Sequence, residues 1–137
     1  MLATLGYDGT TYLRKFLVGL MALLIGDGIW LGIISRRLGT YAGAIDKNVS
    51  GTVAALGILC YAAISAAFAA LITPASAQDA AIVGALVGFL VFSAFNITTV
   101  VINAKWTPSI ALTDTVYGTC AWTAMLLAIY AATRSSS

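Results

Sequence analysis

The chain has 137 residues, is 61% hydrophobic and only 9% charged, and carries a formal charge of +2. Soluble domains hold about 25% charged residues, so this composition excludes an ordinary soluble fold, and the scattered basic residues, with no aromatic-interleaved run, exclude a nucleic-acid surface. His and Glu are both absent, which removes the commonest metal ligand and general base.

The first apolar run extends from Tyr12 to Ser35 and contains an acid, Asp27. Arg14-Lys15 ahead of it resembles the start of a signal peptide. The run is longer than a signal core and lacks a small-residue cleavage site, so a retained first helix is expected. Arg36-Arg37 closes the run, and a polar loop continues to Gly51. The second run covers Thr52 to Thr73, and Pro74 to Asp79 forms a turn. The third covers Ala81 to Asn103, followed by Lys105-Trp106-Thr107, and the fourth Pro108 to Ala132. Each is near the ~20 residues that cross hydrocarbon. Backbone groups in lipid must bond within the segment. The expected fold is therefore all-α, one polytopic membrane domain built as a four-helix bundle.

Tyr12, Tyr41, Trp106 and Tyr130 fall near run ends, where an aromatic belt is expected. Gly28-x-x-x-Gly32 and Gly84-x-x-x-Gly88 predict close helix crossings, and helix two offers Ala62, Ala66 and Ala70. Cys60 and Cys120 sit in apolar runs and read as small hydrophobes. Arg36, Arg37, Lys47 and Lys105 outnumber Arg14, Lys15 and Arg134 by one, which leans loops one and three toward the cytoplasm or matrix.

Counted from the face bearing those loops, Asp27, Asn96 and Asp114 lie at similar depth, about 9–12 Å in at 1.5 Å per residue. Tyr61, Thr98, Thr99, Thr113 and Tyr117 add hydroxyls nearby. This polar layer has a structural reading as interhelical glue. It also has a functional one as a proton, headgroup or solute site, since neighbouring carboxylates do not both ionise. Lys105 is placed to snorkel toward Asp114.

At these residues the chain resembles the DUF2177 family of predicted membrane proteins over about residues 13–130. Asp27-Gly28-Ile29-Trp30-Leu31-Gly32 is similar to its Asp-x-x-Trp-Leu-Gly signature. Phe92 to Thr99 resembles an aromatic-x-x-aromatic-Asp/Asn-x-Thr-Asn stretch. Trp106-Thr107-Pro108 with Asp114 to Thr119 resembles Trp-Pro followed by Asp-x-x-Trp-Gly-Thr. Thr99 replaces a usual Asn, Tyr117 a usual Trp, and Asn96 a residue that is often Asp. The resemblance implies a four-helix fold and importance for Asp27, Trp30, Asn96 and Asp114, with Gly32, Trp106 and Gly118 as further signature positions. It brings no activity with it.

With little chain outside the spans, the leading expectation is a non-catalytic accessory subunit of a larger membrane complex, such as an energy-transducing one. The alternative is a small proton-coupled transporter, or a protein that binds a lipid or small solute at the Asp27/Asn96/Asp114 layer. No enzyme activity, metal or cofactor is expected beyond a bound lipid. The expected partners are the bilayer and neighbouring membrane subunits. The expected location is a bacterial inner membrane or an organelle inner membrane, mitochondrial rather than plastid.

Overall fold

The computed structural model describes residues 8–34, 37–38, 41 and 50–134. Ser35, Arg36, Lys47 and most of loop one lie outside the described residues. Within them, four helices are long and apolar enough to cross a membrane. Helix α1 spans Gly9–Ile29 and widens into a π-helical turn over Trp30–Ile34. Helix α2 spans Gly51–Leu71, α3 Ala77–Ile102 and α4 Pro108–Arg134.

Local capping explains the boundaries that differ from expectation. Helix α1 begins three residues before Tyr12 because the Asp8 carboxylate accepts from the Thr10 N–H at 3.2 Å. Helix α3 begins at Ala77 rather than Ala81 because Ser76 Oγ accepts from the Asp79 N–H at 3.0 Å. Both satisfy donors that an uncapped helix start leaves orphaned. Pro74 disfavours helical backbone just before it, which fits α2 ending at Leu71. Pro108 occupies the first turn of α4, where its missing N–H costs nothing, and Thr107 Oγ1 accepts from the Ile110 N–H at 3.3 Å.

Helices α3 and α4 cross closely. A Cβ on Gly84 would stand 2.7 Å from Thr123 Cα, and one on Gly88 2.8 Å from the Gly118 carbonyl. Only glycine permits that approach. Gly28 and Gly32 do not share this role: both face outward, with nothing within 4 Å of an added Cβ. Helix α1 packs between α2 and α4, and among the described residues α2 makes close backbone contact with α1 alone. The main core gathers Leu23, Phe68, Ala80, Trp122, Met125, Leu126 and Ile129. A smaller one gathers Trp30, Tyr41 and Ile110 at the opposite end.

Large apolar side chains such as Leu59, Leu90 and Ile97 are exposed on the outside, as a lipid-facing surface requires. Cys60 and Cys120 are free and also exposed. The aromatic belt is corrected at Tyr12, Tyr41 and Trp106, while Tyr130 keeps its place near the end of α4, with Arg134 over its ring. Tyr12 turns inward and donates to the Ala66 carbonyl at 3.5 Å, while Tyr41 is buried and Trp106 half-buried. Lys15, one of the charges counted for orientation, is buried and donates to Thr73 Oγ1 at 3.1 Å and to the Ile72 carbonyl at 3.5 Å.

Candidate functional site

The membrane-embedded polar residues meet at the end of the bundle where α1 finishes and α4 begins. On α4, Asp114 receives an N–H on each oxygen. Trp30 Nε1 donates to Oδ1 at 3.2 Å and Asn96 Nδ2 to Oδ2 at 3.2 Å. Asn96 also donates to Thr115 Oγ1 at 3.1 Å, and its own oxygen accepts from Trp106 Nε1 at 2.8 Å. An indole N–H only donates, so Trp106 dictates which end of the Asn96 amide is oxygen and which faces Asp114.

Asp27 stands apart from this chain of bonds. It is half-buried and accepts from the Tyr117 hydroxyl at 2.5 Å. The two arms are joined through rings: Trp30 stacks on Tyr117 with centroids 4.2 Å apart and planes 2° from parallel. Asp27 and Asp114 line the same cavity. The π-helical turn starts at Trp30, three residues after Asp27. Such turns are frequent at functional sites.

Tyr41 closes the end of the cluster. Its ring meets Trp30 edge-on at 5.8 Å and Trp106 at 6.0 Å. Its hydroxyl is buried without a hydrogen bond of ordinary geometry. Burial, reinforced by the nearby Asp114, pushes that hydroxyl well above its usual ionisation range. No local feature of the sequence marks Tyr41 for this place, since it comes from a loop far away in the chain.

Other expected members of the layer do not join it. Thr98 is exposed, Thr99 and Thr113 are half-buried, and all three donate to carbonyls of their own helices, those of Ala94, Phe95 and Ser109. Depth along a helix says nothing about direction around it. Thr98, two residues beyond Asn96, is turned roughly 200° away. Lys105 is exposed, and no ion pair joins it to Asp114. Gly118 does serve the site: a Cβ there would enter the Phe92 ring at 2.1 Å.

The cluster borders a cavity of about 410 Å³ to which every helix contributes. Leu23, Asp27, Trp30 and Leu31 come from the first helix and its π turn, and Cys60, Tyr61 and Ile64 from α2. Val91, Phe92 and Phe95 come from α3, and Asp114, Tyr117 and Trp122 from α4, with Trp106 at one end. Tyr61 thus reaches the chamber wall and packs beside the main core. Among the described residues, no group of His, Cys, Asp or Glu has a metal-binding arrangement.

Asp27, Trp30, Asn96, Trp106, Asp114, Tyr117 and Gly118, which carry much of the family resemblance, therefore converge on one locus, whereas Gly32 and Thr99 lie outside it. A family model described as a predicted membrane protein, DUF2177, matches residues 12–131. No curated protein matches the chain, and no solved structure does.

Proposed function

The chain belongs to the DUF2177 family of predicted membrane proteins, and on that premise we propose that it is a membrane-embedded binding protein that takes an apolar or amphiphilic ligand into the cavity between its helices. The cavity carries this reading. Its volume of about 410 Å³ falls within the usual size of small-molecule sites, its walls are mainly apolar and aromatic, and its polar groups are few and converge. Entry from the lipid phase is supported by the packing: among the described residues α2 makes close backbone contact with α1 only, so no close α2–α3 backbone contact closes that side of the chamber.

Trp30, Trp106 and Trp122 all line the cavity, and the chain has 3 tryptophans. Intrinsic fluorescence therefore reads occupancy. Protein in phosphatidylcholine nanodiscs is titrated with a medium-chain alcohol such as decanol. The expected signal saturates, and Cys60→Phe, which adds bulk at an exposed position lining the chamber, weakens it. A response that rises linearly with membrane partitioning, in parent and variant alike, would end the reading.

The second reading, an accessory subunit, is supported by the N-terminal half of α2. Leu56, Ile58 and Leu59 are exposed there, and Gly57 has open space around an added Cβ. A neighbouring span could pack on that surface. Blue-native electrophoresis of gently solubilised native membranes tests it. Comigration with a large assembly favours the subunit role, and migration at monomer or dimer size excludes it.

A further inference from the structure

Resting on the binding reading above, we infer that the ligand's polar end is a cation, namely an ammonium group bearing an apolar tail, and that Asp27 is the residue that meets it. The two acids of the cavity are not equivalent. Both Asp114 oxygens are occupied by fixed N–H donors from Trp30 and Asn96. Asp27 accepts one hydroxyl, on one oxygen, from Tyr117. Its other oxygen receives no donor among the described residues, whereas each Asp114 oxygen already holds one, so Asp27 keeps a whole oxygen for a donor brought by a ligand.

The walls agree with a cationic guest. Phe92, Phe95, Trp106 and Trp122 line the chamber together with the stacked pair Trp30 and Tyr117, and aromatic rings attract organic cations, Trp best of all. Among the described residues no Lys or Arg lines it. An anionic headgroup would meet carboxylates with no compensating charge, whereas an ammonium would be paired as it leaves water. Buried Lys15 is engaged at the Thr73 end, away from Asp27. The remaining apolar lining, including Leu23, Ile64 and Val91, suits a hydrocarbon tail.

Decylammonium and decanol share a tail and differ at the head. Both are titrated into the full chain in phosphatidylcholine nanodiscs, with tryptophan fluorescence as readout and empty nanodiscs as the partitioning control. The expected preference for decylammonium is about ten-fold or more, the scale of one partly desolvated ion pair. Asp27→Asn is expected to abolish the preference, so that decylammonium and decanol bind the variant alike. Tyr117→Phe, which removes the competing hydroxyl, is expected to retain the preference.

Equal binding of the two ligands, or a preference that survives Asp27→Asn, overturns the ammonium assignment and leaves the cavity reading standing. Failure of both ligands to saturate overturns both. Replacing phosphatidylcholine by phosphatidylethanolamine identifies the source of the ammonium. A several-fold loss of decylammonium affinity in those discs marks a lipid headgroup as the natural occupant, and unchanged affinity marks a free amine.

Discussion

Trp106 and Asn96 form the hinge of the buried network. The indole N–H reaches Asn96 Oδ1 at 2.8 Å, which turns the amide nitrogen toward Asp114 Oδ2 at 3.2 Å. One residue from a short loop thereby sets the polarity of a contact between two membrane helices.

Asn96→Leu removes both halves of that relay at once. The Trp106 N–H loses its acceptor, and one Asp114 oxygen loses its donor, in a place where Asn96 is 1% exposed. Orphaned buried groups cost about 1–3 kcal/mol, although membrane hydrogen bonds average only about 0.6 kcal/mol. A loss of about 1–2 kcal/mol is expected from SDS-induced unfolding followed by circular dichroism. A variant as stable as the parent would show that the relay contributes nothing to the fold.

Glycines at the same spacing separate by location. Gly88→Ala places a methyl group 2.8 Å from the Gly118 carbonyl and 3.0 Å from Thr119 Cα, both backbone atoms that cannot rotate aside. Overpacking of that kind costs about 1–3 kcal/mol. Gly28→Ala meets nothing within 4 Å, so its effect is expected within about 0.5 kcal/mol. The pair is compared in one unfolding series, and equal losses would contradict the crossing described here.

The same contrast shows what was legible in the chain. Span number and approximate limits follow from apolar length, because the bilayer imposes one thickness on every helix. Depth was legible too: Asp27, Asn96 and Asp114 do reach one end of the bundle together. Direction around each helix was not. Asn96 faces inward and Thr98 outward, and Gly84-x-x-x-Gly88 packs while Gly28-x-x-x-Gly32 does not, though each pair reads alike. Azimuth is decided by which neighbour a helix meets, and that is a long-range fact. Tyr41 and Trp106 fail to form a belt for the same reason: the cluster offers their rings edge-on partners and, for Trp106, an acceptor.

Lys15 gives a prediction at the other end of the molecule. Its ammonium is buried beside the Ile72 carbonyl and Thr73 hydroxyl, just beyond the C-terminus of α2. Cations are favoured where helix carbonyls go unpaired. Lys15→Met keeps the hydrocarbon stem and deletes the charge, and hydrogen bonds to charged groups contribute about 1.5–3 kcal/mol. A loss in that range is expected, with a smaller one for Thr73→Val. Thermal unfolding in detergent checks both, and an order reversed between the two variants would assign the anchoring to Thr73 instead.

Donor and acceptor counting also separates the two acids by stability. An asparagine at 114 has one oxygen and one N–H₂ group, while both positions it inherits face N–H donors, from Trp30 and from Asn96. One donor must then face another inside the bundle, and a loss of about 1–3 kcal/mol is expected for Asp114→Asn. At 27 the single partner is the Tyr117 hydroxyl, which still finds an oxygen on the amide. Asp27→Asn is therefore expected to cost less than Asp114→Asn, about 1 kcal/mol or below. Comparing the two variants in the same SDS titration decides the matter: if Asp27→Asn is the more damaging, Asp27 is a structural anchor and its availability to a ligand fails with it.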